Sequence, residues 1–98
     1  MTLEQRSKTK DALSRYGKKW SVKRPESKAW ESAIEQTLAY YDVKDPLRSQ
    51  LMRTRYFEHC TEEETLLRLN IGRSTYQKAQ LDMLSTIAVY AAENGVKM

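Results

Sequence analysis

The chain has 98 residues, 40% hydrophobic and 31% charged, with a formal net charge of +4 and one cysteine. That length allows a single small core with little margin, and one cysteine excludes an internal disulfide framework. Three Gly, two Pro and no alternating β-branched runs point to an all-α fold, and the polar N-terminus and short apolar runs predict a soluble, intracellular protein without a signal peptide or membrane span.

Residues 1–25 read as a basic N-terminal helix or arm and a linker. Thr2 to Tyr16 has helical propensity but weak amphipathicity, carried by Leu3, Ala12, Leu13 and Tyr16. Gln5 to Lys10 offers no apolar residue to bury, so this portion is expected to fray or to order only against a partner. Gly17 interrupts the pattern, and residues 18–25 form a basic linker in which Trp20 either anchors to the core or stacks on a base. Residues 1–30 hold nine Lys/Arg against three Asp/Glu, and the remainder eight against ten. The basic excess is therefore N-terminal, which fits either non-specific phosphate attraction or a solvated tail with no partner.

Residues 26–95 read as the helical domain. Pro25 suits the start of a helix reaching about Tyr41. Trp30, Ala33, Ile34, Thr37, Leu38 and Tyr41 make the clearest amphipathic stripe in the chain, with Trp30 as a core anchor. Asp42 to Asp45 closes it. Asp45 then caps a third helix with Pro46 at its first position, continuing through Leu47, Leu51, Met52, Tyr56 and Phe57. Arg48, Arg53 and Arg55 lie on its other face, either solvated or available to a DNA backbone. His59-Cys60 lacks further His or Cys partners for a metal and reads as a connection. With no Gly-rich phosphate loop and no Ser/His/Asp set, no catalytic residue, cofactor or metal is expected.

The stretch from Thr61 to Ala92 is the candidate reader of DNA. Thr61-x-x-Glu64 is a capping box. Leu66 and Leu69 face a core, and Asn70 tolerates a left-handed end. Ile71 plugs between the helices, and Gly72 stands at the next N-cap. In the long second helix Tyr76, Ala79, Met83, Ile87 and Tyr90 line one inward face. Leu81, Leu84, Ala88 and Ala91 form a neighbouring stripe. That stripe either packs under the N-terminal helices, the preferred reading, or pairs with another subunit. Arg73, Ser74, Gln77 and Lys78 fall off both stripes, and no acid precedes Asp82. Arg suits guanine, Gln adenine, Ser several base edges and Lys a phosphate, although an ordinary solvated helix face has the same composition. Glu93-Asn94-Gly95 reads as a stop, with Val96 to Met98 loose.

Pro46 to Phe57, followed by Thr61 to Glu64 and Leu69 to Tyr76, resembles the C-terminal DNA-binding region of sigma factors. More narrowly it resembles the ArpU/RinA-type bacteriophage transcriptional regulators, over roughly residues 26–95. Trp30 and Tyr76 match positions typical of that family. Gly72 departs from it, standing where the family usually has Ser, and so do Gln77 and Lys78, where an aromatic and a basic residue are common. The resemblance implies a small all-α domain with a sigma region 4-like helix-turn-helix, acting as a sequence-specific regulator of late genes in the cytoplasm of a bacterial host. Arg73, Ser74, Gln77 and Lys78 would meet bases and adjacent phosphates. Thr61 and Thr75 would meet the backbone at helix N-termini, and Arg53, Arg55 and the basic N-terminal arm would add attraction. The partners implied are double-stranded DNA and RNA polymerase, with no membrane, for a monomer or homodimer. A small-terminase-like packaging component and a protein-binding module on the same fold stay open as rivals.

Overall fold

Threonines and glycines set the ends of the helices. The computed structural model describes residues 2–17 and 25–96, with residues 25–27 as backbone only. Five α-helices follow in order: α1 (Leu3–Gly17), α2 (Pro25–Lys44), α3 (Pro46–Met52), α4 (Glu62–Leu69) and α5 (Arg73–Glu93), with a π-helical turn over Arg53–Phe57 directly after α3. There is no strand among the described residues, and the helices build one compact all-α domain. No described helix is long and apolar enough to cross a membrane. The basic linker and Trp20 lie outside the described residues.

α1 begins with a reciprocal box that the reading of the sequence passed over. The Thr2 hydroxyl accepts from the Gln5 N–H at 3.1 Å and the Gln5 side chain accepts from the Thr2 N–H at 3.1 Å. The helix is not frayed over Gln5 to Lys10. Thr9, Ala12 and Leu13 are buried, and α1 packs against α5, the π-turn and α2. Thr9 escapes the desolvation cost of a buried hydroxyl because it donates to the Gln5 carbonyl at 2.7 Å.

α2 carries the expected stripe: Trp30, Ala33, Ile34, Thr37 and Tyr41 are buried and Leu38 packs beside them. It runs three residues past Tyr41, to Lys44, and stops at Asp45, whose φ of −158° suits a residue before proline. Asp45 makes no side-chain cap. Its carboxylate pairs instead with Arg48, which also reaches Asp82 of α5. Instead of continuing to Phe57, α3 widens after Met52, and the Glu58 N–H donates to the Arg53 carbonyl at 2.8 Å.

α2 and α5 lie antiparallel. Asn94 donates to the Ala29 carbonyl at 3.3 Å and to the Gln36 side chain at 3.0 Å. At the other end the Tyr41 hydroxyl meets Thr86 at 2.7 Å and donates to the Asp82 carbonyl at 3.3 Å. α5 buries Tyr76, Ala79, Met83, Leu84, Ile87 and Ala91. Of the second stripe, Leu84 and Ala91 are thus inside, Ala88 is half-buried and Leu81 remains 43% exposed. The stop at Asn94-Gly95 is a Schellman turn. The Val96 N–H donates to the Ala91 carbonyl at 2.9 Å and the Gly95 N–H to the Ala92 carbonyl at 3.1 Å, with Gly95 at φ 99°. Val96, expected to be loose, is therefore buried.

The capping box at Thr61 is complete: its hydroxyl accepts from the Glu64 N–H at 3.1 Å, and Glu64 accepts from the Thr61 N–H at 3.0 Å. Thr61→Ala should lower stability by about 1 kcal/mol. A thermal unfolding curve superimposable on that of the parent protein would show that the box contributes nothing to α4.

Candidate nucleic-acid interface

α4 reaches α5 through a turn whose backbone is prescribed residue by residue. Asn70 adopts the left-handed conformation (φ 54°, ψ 51°). The Ile71 N–H then donates to the Leu66 carbonyl at 3.1 Å, a second Schellman turn. Ile71 and Leu66, the residues that such a turn brings together, both pack on the core. Gly72 is an extended N-cap (φ −82°, ψ 165°) without a side chain to cap. A Cβ there would meet nothing within 4 Å, so the position has room for a serine.

Beyond Gly72, Tyr76 anchors the first turns of α5, buried with its hydroxyl accepting from Arg55 Nε at 3.2 Å. Burial pushes the Tyr76 phenol up, against the pull of Arg55. Arg55 also donates to the Cys60 carbonyl at 3.1 Å and lies over the Tyr56 ring, 5.5 Å from its centroid. Burial pushes the Tyr56 phenol up to about 12.

Arg73, Ser74, Thr75, Gln77 and Lys78 are all exposed at the start of α5. Arg73 lies 3.6 Å from Glu62, a loose surface pair of little energetic weight. Lys78 is in no ion pair among the described residues. The Thr61 hydroxyl, expected at a backbone phosphate, is engaged in its own cap.

The arginines of the preceding helix are placed differently. Arg53 holds both oxygens of Asp42 at 2.9 Å, and that pairing holds the Asp42 carboxyl down at about 2. Arg55 is turned inward onto Tyr76 and Cys60. The π-turn is the cause: it breaks the α spacing after Met52, so Thr54 and Tyr56 are buried and Arg55 falls between them. The structure thus brings together Arg73, Ser74, Thr75, Gln77 and Lys78 and leaves Arg53 and Arg55 in contacts of their own. What the sequence reading missed is the docking of α1: the basic N-terminus, read as undirected phosphate attraction or a solvated tail, places Arg6 and Lys10 along the same groove as Gln77 and Gln80. Their spacing of four, beside the Thr9 and Leu13 stripe, was the available signal.

Cys60 is a free, buried thiol, and no three His, Cys, Asp or Glu side chains come together as metal ligands among the described residues. No family model matches the chain, and none of the curated proteins or solved structures compared with it does either.

Proposed function

We propose that α4, the Asn70-Ile71-Gly72 turn and α5 act as a helix-turn-helix that binds double-stranded DNA sequence-specifically. The observation that carries this is the start of α5. A polar, partly cationic face of Arg73, Ser74, Gln77 and Lys78 stands exposed on a helix whose opposite face is buried through Tyr76 and Ala79. Those side chains have the donors and acceptors that read base edges, and a helix N-terminus is the part of such a motif that enters the major groove. Arg55 acts here as a positioning residue for Tyr76. The acidic first turn of α4, Glu62 to Glu64, steadies that helix through its dipole but opposes a polyanion, a repulsion that salt would screen. A sigma-like, phage-type role in transcription rests on the residue resemblance of 46–76, and polymerase contact rests on the same ground. The later turns of α5, the feature that favoured a packaging role, bury Met83, Leu84, Ile87 and Ala91 within the same chain and leave Leu81 and Val89 exposed.

Selection from a random duplex pool, followed by gel shift at physiological salt, tests the proposal. Gln77→Ala should cost about 1–3 kcal/mol on the selected site and much less on random duplex, with the unfolding curve unchanged. A pool that yields no enriched site would remove sequence reading, and equal losses on both duplexes would remove Gln77 as a reader.

A further inference from the structure

α1 and the first turns of α5 enclose a groove of about 320 Å³. Arg6 and Lys10, one turn apart on α1, line one side, and Gln77 and Gln80 of α5 line the other. The other α1 cations have a carboxylate one turn away on their own helix, Glu4 at 3.7 Å from Lys8 and Asp11 at 3.1 Å from Arg15. Arg6 and Lys10 are in no ion pair among the described residues. Arg6 Nε is in addition shielded from solvent with no hydrogen-bond acceptor, a state that native structures rarely tolerate. The carboxylate on the rim, Glu62, lies against Arg73 at 3.6 Å. Two cations without an ion pair, one of them carrying that orphaned donor, and two amides line a single groove. The ligand chemistry that satisfies them is an anion with several oxygens.

We propose that this groove takes a backbone phosphate of the duplex that α5 reads, so that α1 is part of the DNA-binding surface. The inference rests on the DNA-binding reading of α5. Continuity favours DNA over a free anion, since Gln77 belongs both to the groove and to the exposed face of Arg73 and Lys78. A helix in the major groove lies between two phosphate strands, and residues on its flank meet one of them. Gln77, Gln80 and Leu81 form such a flank, and α1 supplies the charge beside it.

Fluorescence anisotropy with labelled duplex DNA across a salt series tests this. The double variant Arg6→Gln/Lys10→Gln should bind about tenfold more weakly, to the selected and random duplexes alike. Its log–log salt slope should be shallower by about one, the value for a single lost phosphate contact. Lys8→Gln, on the same helix but outside the groove, should bind as the parent does. Lys10→Gln alone reports on the exposed cation should the Arg6 change disturb folding, and it should retain part of the loss. Unchanged affinity and slope in the double and Lys10 variants, with binding still weakened by Lys78→Gln, would overturn the groove while leaving α5 as reader. A parent protein that binds no duplex even at low salt would overturn both. Equal losses on single-stranded RNA would assign the groove to another polyanion and overturn the duplex phosphate.

Discussion

Leu13→Ala is expected to destabilise the protein by about 2–5 kcal/mol, and removal of residues 1–17 to leave a chain that does not fold cooperatively. Leu13 is fully buried, and Ala12 and Thr9 of the same helix are buried beside it. Truncating a buried leucine costs the transfer energy of its methyl groups and adds the cavity they leave. A domain of this size has about 5–15 kcal/mol in total, so one such cavity removes a large share. Deleting the whole helix also uncovers the faces of α5, the π-turn and α2 on which it packs. Tyr16 would go with it, and with Tyr16 its tilted ring contact with Phe57 at 5.0 Å between centroids. Urea unfolding followed by circular dichroism decides the matter. A shortened protein with an unchanged midpoint would make α1 an appendage, the arm that its charge alone suggested.

The N-terminal helix escaped the pattern of apolar residues for a definite reason. Thr9, Thr37 and Thr65 are each fully buried, and each donates to the carbonyl four residues earlier, at 2.7, 2.8 and 2.8 Å. A helical threonine that bonds backward in this way presents only its methyl to the core. Hydropathy counts it as polar, so the stripe of Thr9, Ala12, Leu13 and Tyr16 showed only its last three members, and Leu3, which looked like a fourth, is exposed. Thr37 was recognised because strong apolar neighbours flank it, whereas Thr9 has Lys8 and Lys10 on either side. Where local backbone chemistry rules, the sequence was readable: Thr61 and Glu64 cap α4, Asn70 turns left-handed, and Gly95 ends α5.

The candidate interface was legible only in part, because its two halves obey different physics. Arg73, Ser74, Gln77 and Lys78 are exposed as helical spacing required, since the buried face of α5 leaves them nowhere else to point. The arginines after α3 depend on a π-turn that no spacing rule announces, and on partners distant in sequence. Asp42 lies eleven residues before Arg53, and Tyr76 twenty-one after Arg55. A single extra residue in one turn therefore decided whether a guanidinium met solvent or a tyrosine hydroxyl. The role of Arg6 and Lys10 likewise depended on the docking of α1, which the disguised Thr9 had hidden.

Trp30→Ala should destabilise the protein by about 3–5 kcal/mol, lowering the melting temperature by roughly ten degrees or more for a domain of this length. Trp30 is only 6% exposed and belongs to the main core cluster. The residue before it supplies the carbonyl to which Asn94 donates. The antiparallel register thus places the indole level with the end of α5, where Ala91 and Val96 are buried. Few side chains can refill the volume of an indole, and the Schellman turn fixes Val96 through its backbone, so the cavity should stay largely open. The loss should therefore fall on folding and leave the proposed DNA contacts intact in whatever fraction remains folded. Because Gln77 and Lys78 sit at the opposite end of α5 from this contact, the two properties separate cleanly. A melting temperature within two or so degrees of the parent would place the indole in solvent and require α2 to be rotated about its axis.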